Sequence, residues 1–322
     1  MKHGLFVNTD KAQCSIYERG RDVFHCLRDG EWILDYVEIG QINLNDLYKG
    51  KITCENLLQN YDFYVFNYHP VTFKRVYNFD ETQLHNILGS KINIIFEMEQ
   101  SDDLLASHDI DINSFDSHMV LDPTFVSNNK KLISFPRPLG ELFPITPITE
   151  IPTVPIIGSF GFPNFDKNFD LVIKQASIEF EKSIVRLHIP YATYMHSSLL
   201  DSIVESCKSI QVDNVSLEIT HNFLNDNELI NWCKMNHLNV FLYSRNMAGL
   251  AATPDVVIKS GSPLLTSNNR TFRHLFPYMK SFPEWSFKDA MLLSQEKIKI
   301  IRNDWSVKNF NKRFKDVLQC LG

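Results

Sequence analysis

At 322 residues the chain is longer than one ordinary core supports, so its length predicts two domains. Its 44% hydrophobic and 22% charged residues describe a globular protein, which sets disorder aside. A net charge of -6 argues against nucleic-acid binding, because that role needs a basic face that displaces counterions.

No apolar run approaches the ~18 residues that cross a bilayer, and the opening Met1-Lys-His-Gly-Leu-Phe-Val-Asn8 is too short for a signal peptide. It reads directly as a first strand. The six cysteines form no Cys-x-x-Cys pair, and several fall on apolar helical faces. They are read as free thiols in a reducing compartment, which places the protein in the cytoplasm.

In chain order, residues 3–8 predict a strand. Ile16, Tyr17, Gly20, Val23, Phe24 and Leu27 then recur at helical spacing, giving an amphipathic helix over about 14–28. Residues 32–39 predict a second strand. The runs 61–68 and 92–98 are nearly all apolar, as strands covered on both faces are, and 80–88 supplies a helix between them. Weaker strands are expected at 119–121 and 132–135. Six of the 14 prolines fall between Pro136 and Pro155. Proline donates no ladder hydrogen bond and turns its predecessor away from helix, so 136–155 is the expected interdomain linker.

After the linker the alternation sharpens. Strands are expected at 156–160, 184–189, 215–219, 238–243 and 264–266, separated by helices at 167–180, from 197, from 225 and at 254–260. Asn225 and Glu228 have capping-box spacing. Strands alternating with helices predict parallel, doubly wound sheets whose carboxyl ends share one edge, where ligands bind. The domains expected are 1–150, 151–300 and a closing helix at 301–322.

Candidate chemistry clusters at those strand ends. Thr253-Pro254-Asp255 combines a good N-cap residue, a preorganised first helical position and an acid that complements the helix dipole. A helix start of this kind offers free backbone N–H groups to a phosphate, and Gly249 would let the backbone come close. The plainer reading of the three residues is a helix start and nothing more. Gly158-Ser-Phe-Gly161 followed by Lys167 suits a second phosphate contact, although many strand–turn–helix links carry two glycines.

Arg186 lies in an otherwise apolar strand and needs an anion or a carboxylate partner. His69, in Asn67-Tyr-His-Pro70, and Glu97, closing the next strand, are placed for a general base; both also read as structural or solvated groups. The loop from Asn8 to Ser15 joins the first strand to the first helix. No metal-ligand spacing emerges from the 11 histidines, and P-loop, dinucleotide-fingerprint and hydrolase-elbow patterns are absent. Lys308, Lys312, Arg313 and Lys315 read as the solvated side of a terminal helix and leave contact with a membrane surface open.

With these pieces in order over about 120 residues, the second half resembles the nucleotide-binding domain of GT-B glycosyltransferases. The stretches that carry the likeness are Ile157-Gly-Ser-Phe-Gly-Phe-Pro with Lys167, Phe223 to Cys233 leading to Tyr243, and Ala248 through Asp255 to Leu275. The first half is similar more loosely, through Asn8 to Gly20 and Tyr64 to Pro70. Residues 304–314 resemble the family's closing helix, which packs back on the first domain.

The resemblance implies two Rossmann-like doubly wound parallel-sheet domains facing a cleft. It also implies transfer of a hexosyl group from a nucleotide-sugar donor to a saccharide or lipid-linked hydroxyl acceptor, without a metal or other cofactor. The donor side would draw on Ser159, Gly161, Lys167, Arg186, Tyr243, Gly249, Leu250, Thr253 and Asp255. Asn8 and Ser15 would line the acceptor side, with His69 or Glu97 as base. Members of this divergent kind belong to bacterial surface-polysaccharide gene sets, which implies a cytoplasmic protein, peripheral at the inner membrane face. One departure stands out. Many retaining members carry two glutamates with seven residues between them, whereas here Ala248 replaces the first and Asp255 falls one residue early. A catalytically inactive nucleotide-sugar binding or scaffolding subunit is the alternative, with a nucleotide-sugar epimerase behind it.

Overall fold

The computed structural model describes residues 1–9, 15–42, 61–68, 73, 78, 80–89, 91–97, 114–191, 197–210, 212–246 and 249–322. The chain divides into two compact units. Unit 1 comprises Met1–Gly140, Ala248–Leu250 and Asp304–Gly322; unit 2 comprises Glu141–Met247 and Ala251–Asn303.

In unit 1, β1 (His3–Asn8), β2 (Ile33–Glu38), β3 (Phe63–Tyr68), β4 (Ile92–Glu97), β5 (Ser117–Val120) and β6 (Leu132–Ser134) form one sheet in the order β2-β1-β3-β4-β5-β6. Every pair in it is parallel. Helices α1 (Ser15–Arg28) and α2 (Glu81–Leu88) join strands, and Asp80 caps α2 through the Gln83 amide. The apolar runs follow from burial on both faces. Phe6, Phe63 and Val65 enter one core cluster with α1, while Leu5, Val7, Tyr64 and Phe66 enter a second cluster with α2. The terminal helix α8 (Val307–Leu321) completes the first cluster. Its Phe314 packs edge-on to Trp32 at 4.9 Å and lies 5.9 Å from Phe63, and Phe310 meets Phe135 at 5.3 Å. Lys308, Lys312 and Arg313 lie on its exposed side, and Lys315 pairs with Glu31.

Winding in this sheet reverses between β1 and β3, and two asparagines fill the break. Asn67 Nδ2 donates to Asn8 Oδ1 (2.6 Å) and to the Ile16 carbonyl (2.9 Å), while Asn8 Nδ2 donates to the Tyr17 carbonyl (3.1 Å) and Tyr36 Oη (3.0 Å). Together they tie the first turn of α1 to the sheet. Gly20 is required beside them, since a Cβ there would stand 2.1 Å from Asn8 Oδ1.

In unit 2, β7 (Ile156–Phe160), β8 (Ser183–His188), β9 (Val215–Thr220), β10 (Leu238–Phe241) and β11 (Leu264–Thr266) form a parallel sheet in the order β11-β10-β7-β8-β9. The helices are α3 (Phe169–Glu179), α4 (Ser197–Lys208), α5 (Asp226–Lys234), α6 (Thr253–Ser260) and α7 (Phe287–Asp304). Both halves of the capping box at the start of α5 form, between Asn225 and Glu228. Gly261 ends α6 in the left-handed region at φ 77°.

Three expectations shift. The helix expected from residue 167 begins at Phe169, because Phe165–Lys167 forms a 3-10 turn and Asn168 takes φ 50°. The ladder of β10 stops at Phe241, two residues before Tyr243. The 18-residue helix α7 was not anticipated from the sequence.

Segment 143–148 runs along unit 2 under side chains of α7. Arg302 donates to the carbonyls of Ile258 (2.7 Å), Lys259 (2.7 Å) and Phe143 (2.8 Å), and Gln295 bonds Thr146 and Ile148. Arg302 thus satisfies the carbonyl end of α6, and burial lowers its pKa to about 10. At the end of β8, His188 is 2% exposed and shares a 2.9 Å hydrogen bond with Thr220 Oγ1. Burial, then the nearby His221 and Arg186, lower its pKa to about 4.

Two outcomes follow from this packing. Phe314→Ala should destabilise unit 1 by about 3–5 kcal/mol in urea denaturation, as loss of a fully buried aromatic does. His188 is neutral in the folded state and protonates more readily when unfolded, so its contribution is complete above the unfolded pKa of about 6.5 and is lost as pH falls towards 4. His25 and His237 are lowered in the same direction. The urea midpoint of wild type should therefore fall more steeply from pH 6.5 to 5 than that of His188→Gln.

Candidate functional site

The order of the unit 2 sheet reverses at β7: β8 and β9 lie on one side of it, β10 and β11 on the other. At such a switch point the flanking helices diverge to opposite faces and leave a crevice at the strand carboxyl ends. The residues that follow β7 and β10 meet there. Gly161, directly after β7, has φ 142°, a conformation open to glycine, and its N–H donates to the His188 carbonyl (3.0 Å). A Cβ on Gly161 would stand 2.8 Å from Lys167 Nζ, so the bare backbone leaves room for the lysine.

Lys167, in the 3-10 turn, reaches across to the segment that follows β10. Its Nζ donates to Tyr243 Oη (2.8 Å) and sits 4.2 Å from the centre of the Tyr243 ring. Tyr243 Oη lies 3.2 Å from Thr253 Oγ1 at the start of α6. One line of contacts therefore joins the turn after β7, the segment after β10 and a helix N-terminus.

Each member is held from behind. Asn168 Nδ2 donates to the Leu242 carbonyl (2.7 Å), the Ser244 amide donates to the Asp166 carbonyl (2.8 Å), and Ser267 Oγ donates to the Tyr243 carbonyl (2.8 Å). The Tyr243 ring packs on Phe272 at 5.0 Å. These supporting groups were not singled out from the sequence. Their one signal is a polar residue at an element boundary: Ser267 directly follows β11, and Asn168 directly precedes α3.

The helix start differs from its expected form. Thr253 is not the N-cap; that position is Ala252, and no side chain caps α6. The Thr253 hydroxyl is directed to Tyr243 instead. Pro254 has no N–H, and the Asp255 amide bonds the Ala252 carbonyl (3.2 Å). The end therefore carries the positive pole of the dipole and no capping side chain, with the Asp255 carboxylate in its first turn.

Other expected members lie apart. Asp255 is 1% exposed, so its carboxylate is enclosed within the fold and not presented to solvent. Arg186 lies mid-strand in β8, where Asn236 Oδ1 (3.0 Å), Glu218 (3.4 Å) and the Trp232 ring (5.1 Å) occupy its guanidinium. The internal partners foreseen as its plainer reading are the ones present. Ser159 is buried within β7, and its Oγ has no hydrogen-bond partner among the described residues. Gly249 and Leu250 are partly buried and belong to the short stretch grouped with unit 1. In unit 1, Asn8 is spent on the Asn67 network, Ser15 is the first residue of α1, and Glu97 is the last residue of β4. His69 and Ala248 lie outside the described residues.

Among the described residues no helix is long and apolar enough to cross a membrane. No family model matches the sequence, and no curated protein matches it. Solved structures do. Anabaena HepE in complex with UDP-glucose is similar at 9% identity, with 99% of this chain and 100% of that chain covered and a TM-score of 0.65. A glycosyltransferase from Rickettsia africae is similar at 10% identity, with 99% and 98% covered and a TM-score of 0.66. An alpha-glucosyltransferase in complex with UDP follows at 10% identity, with 99% and 100% covered and a TM-score of 0.58. At such low identity the likeness establishes architecture, and it runs through both units: this chain has the GT-B fold.

Proposed function

We propose that the protein is a glycosyltransferase that takes a sugar from a nucleotide-sugar donor and passes it to a hydroxyl acceptor. The observation that carries this reading is the meeting of Lys167, Tyr243 and the uncapped start of α6 at the switch point of the unit 2 sheet. A donor's diphosphate needs positive charge from directions that do not compete for the same oxygens. The lysine supplies a point charge, and the uncapped helix start supplies the positive end of its dipole. When the sugar–phosphate bond breaks, negative charge grows on the departing diphosphate, and groups fixed beforehand stabilise that charge without reorganising.

UDP is the first donor nucleotide to try, since similar structures hold UDP or UDP-glucose. The hexosyl donor, the saccharide or lipid-linked acceptor, the part in surface-polysaccharide synthesis and the cytoplasmic, membrane-peripheral setting belong to the same proposal. His69 and Glu97 keep their proposed role as acceptor base. Metal independence is proposed on chemical grounds: Lys167 and the helix dipole supply the charge that a divalent cation otherwise supplies. A second reading, a nucleotide-sugar binding subunit without turnover, is favoured by one observation. Asp255, the acid expected to hold donor hydroxyls, is enclosed at 1% exposure.

The test is incubation with UDP-, GDP-, dTDP- and CDP-sugars, reading released nucleotide and thermal shift. A UDP-sugar should be slowly hydrolysed, with activity unchanged by EDTA. Lys167→Met should lower kcat/KM by roughly 100-fold, as loss of a group on the leaving charge does. Thermal shift without release, insensitive to His69→Ala and Asp255→Asn, would establish the binding subunit. No response to any of the four donors would overturn both readings.

A further inference from the structure

The Lys167–Tyr243 contact has a direction. An ammonium only donates, so Tyr243 Oη accepts from Lys167 Nζ. Thr253 Oγ1 lies 3.2 Å from Tyr243 Oη, and either hydroxyl can donate across that contact. Where the tyrosine donates, the Thr253 hydroxyl proton is left for another partner. Two of the three ammonium hydrogens are left as well. The tyrosine is itself immobile: it is 7% exposed, wedged against Phe272 and Phe241, with its carbonyl held by Ser267 and Asn269. Gly161 closes the arrangement from the other side, because any side chain there would displace the lysine.

We infer that Tyr243 is a positioning residue of the donor site. Its ring and hydroxyl hold the Lys167 ammonium above the turn after β7 and orient the Thr253 hydroxyl, so that both meet a nucleoside diphosphate already aimed. A lysine side chain left free would lose rotamer entropy on binding, and the tyrosine removes most of that loss in advance. This inference rests on the donor-site reading above. It gives Tyr243, already expected on the donor side, a role exerted on the anion only through others.

The experiment uses the full chain and UDP as probe. Tyr243→Phe keeps the ring under the ammonium and deletes the hydroxyl, so it should fold normally and weaken UDP by about tenfold in calorimetry, the size of a lost hydrogen bond to a charged group. In a Lys167→Met background the same change should weaken UDP by less than about twofold, because coupled residues are not additive. A merely structural tyrosine would act equally in both backgrounds. Equal effects, or an unchanged UDP affinity in Tyr243→Phe, would overturn the inference.

A second readout does not need the nucleotide. After reductive 13C-methylation, the Lys167 methyl resonance should be shifted upfield by the ring in wild type and Tyr243→Phe, and should move to the free-lysine position in Tyr243→Leu. If wild type binds no nucleoside diphosphate, the donor-site reading falls. The lysine resonance then still decides whether Tyr243 holds Lys167, and a free-lysine position in wild type would overturn that as well.

Discussion

Reversal of winding at β7 is the constraint on which the candidate site depends. In a parallel sheet the crossovers on either side of the reversal go to opposite faces, so no helix covers the strand ends at that point. Something else must satisfy the backbone groups and side chains exposed there. The two units solve the problem differently. In unit 1 the gap between β1 and β3 is filled by Asn8 and Asn67, which bond each other and the first turn of α1. In unit 2 a lysine, a tyrosine and a threonine take the place, joined by long side chains and one ring. The first solution is closed and neutral. The second leaves a cation beside an uncapped helix start, which is why the chemistry is assigned to unit 2.

Much of the architecture was legible because the strands are covered on both faces. Residues 61–68 and 92–98 read as continuous apolar runs, and alternate side chains of β3 do enter separate cores. Capping chemistry was equally plain at Asn225 and Glu228. Helix α7 was missed for a definite reason. Its buried face includes Ser294, Gln295 and Arg302 among Phe287, Ala290, Met291, Ile298 and Ile301. Each of these polar residues bonds a backbone group of another segment, so burial there does not follow hydrophobicity. A pattern search for an apolar stripe finds the stripe broken.

The site was less legible than the fold. The residues pointed to Lys167 and to Thr253-Pro254 and the family resemblance to Tyr243, and the structure joins them; that the tyrosine hydroxyl is the link carried no signal in the sequence. Thr253 looked like a cap because threonine before proline usually is one; the nearby tyrosine outcompetes the helix for its hydroxyl. Arg186 looked available because its strand neighbours are apolar. Its partners Glu218, Asn236 and Trp232 lie 32 to 50 positions further along the chain, beyond any local pattern.

The clamp at Arg302 has a consequence for which residues this position tolerates. Three separate nitrogens reach three carbonyls on two segments, a geometry that belongs to a planar guanidinium fork. Lysine carries the same charge on a single atom and could not bridge those oxygens together. Exchange of one base for the other, usually counted as conservative, would here release both the end of a helix and the strand of chain laid against it.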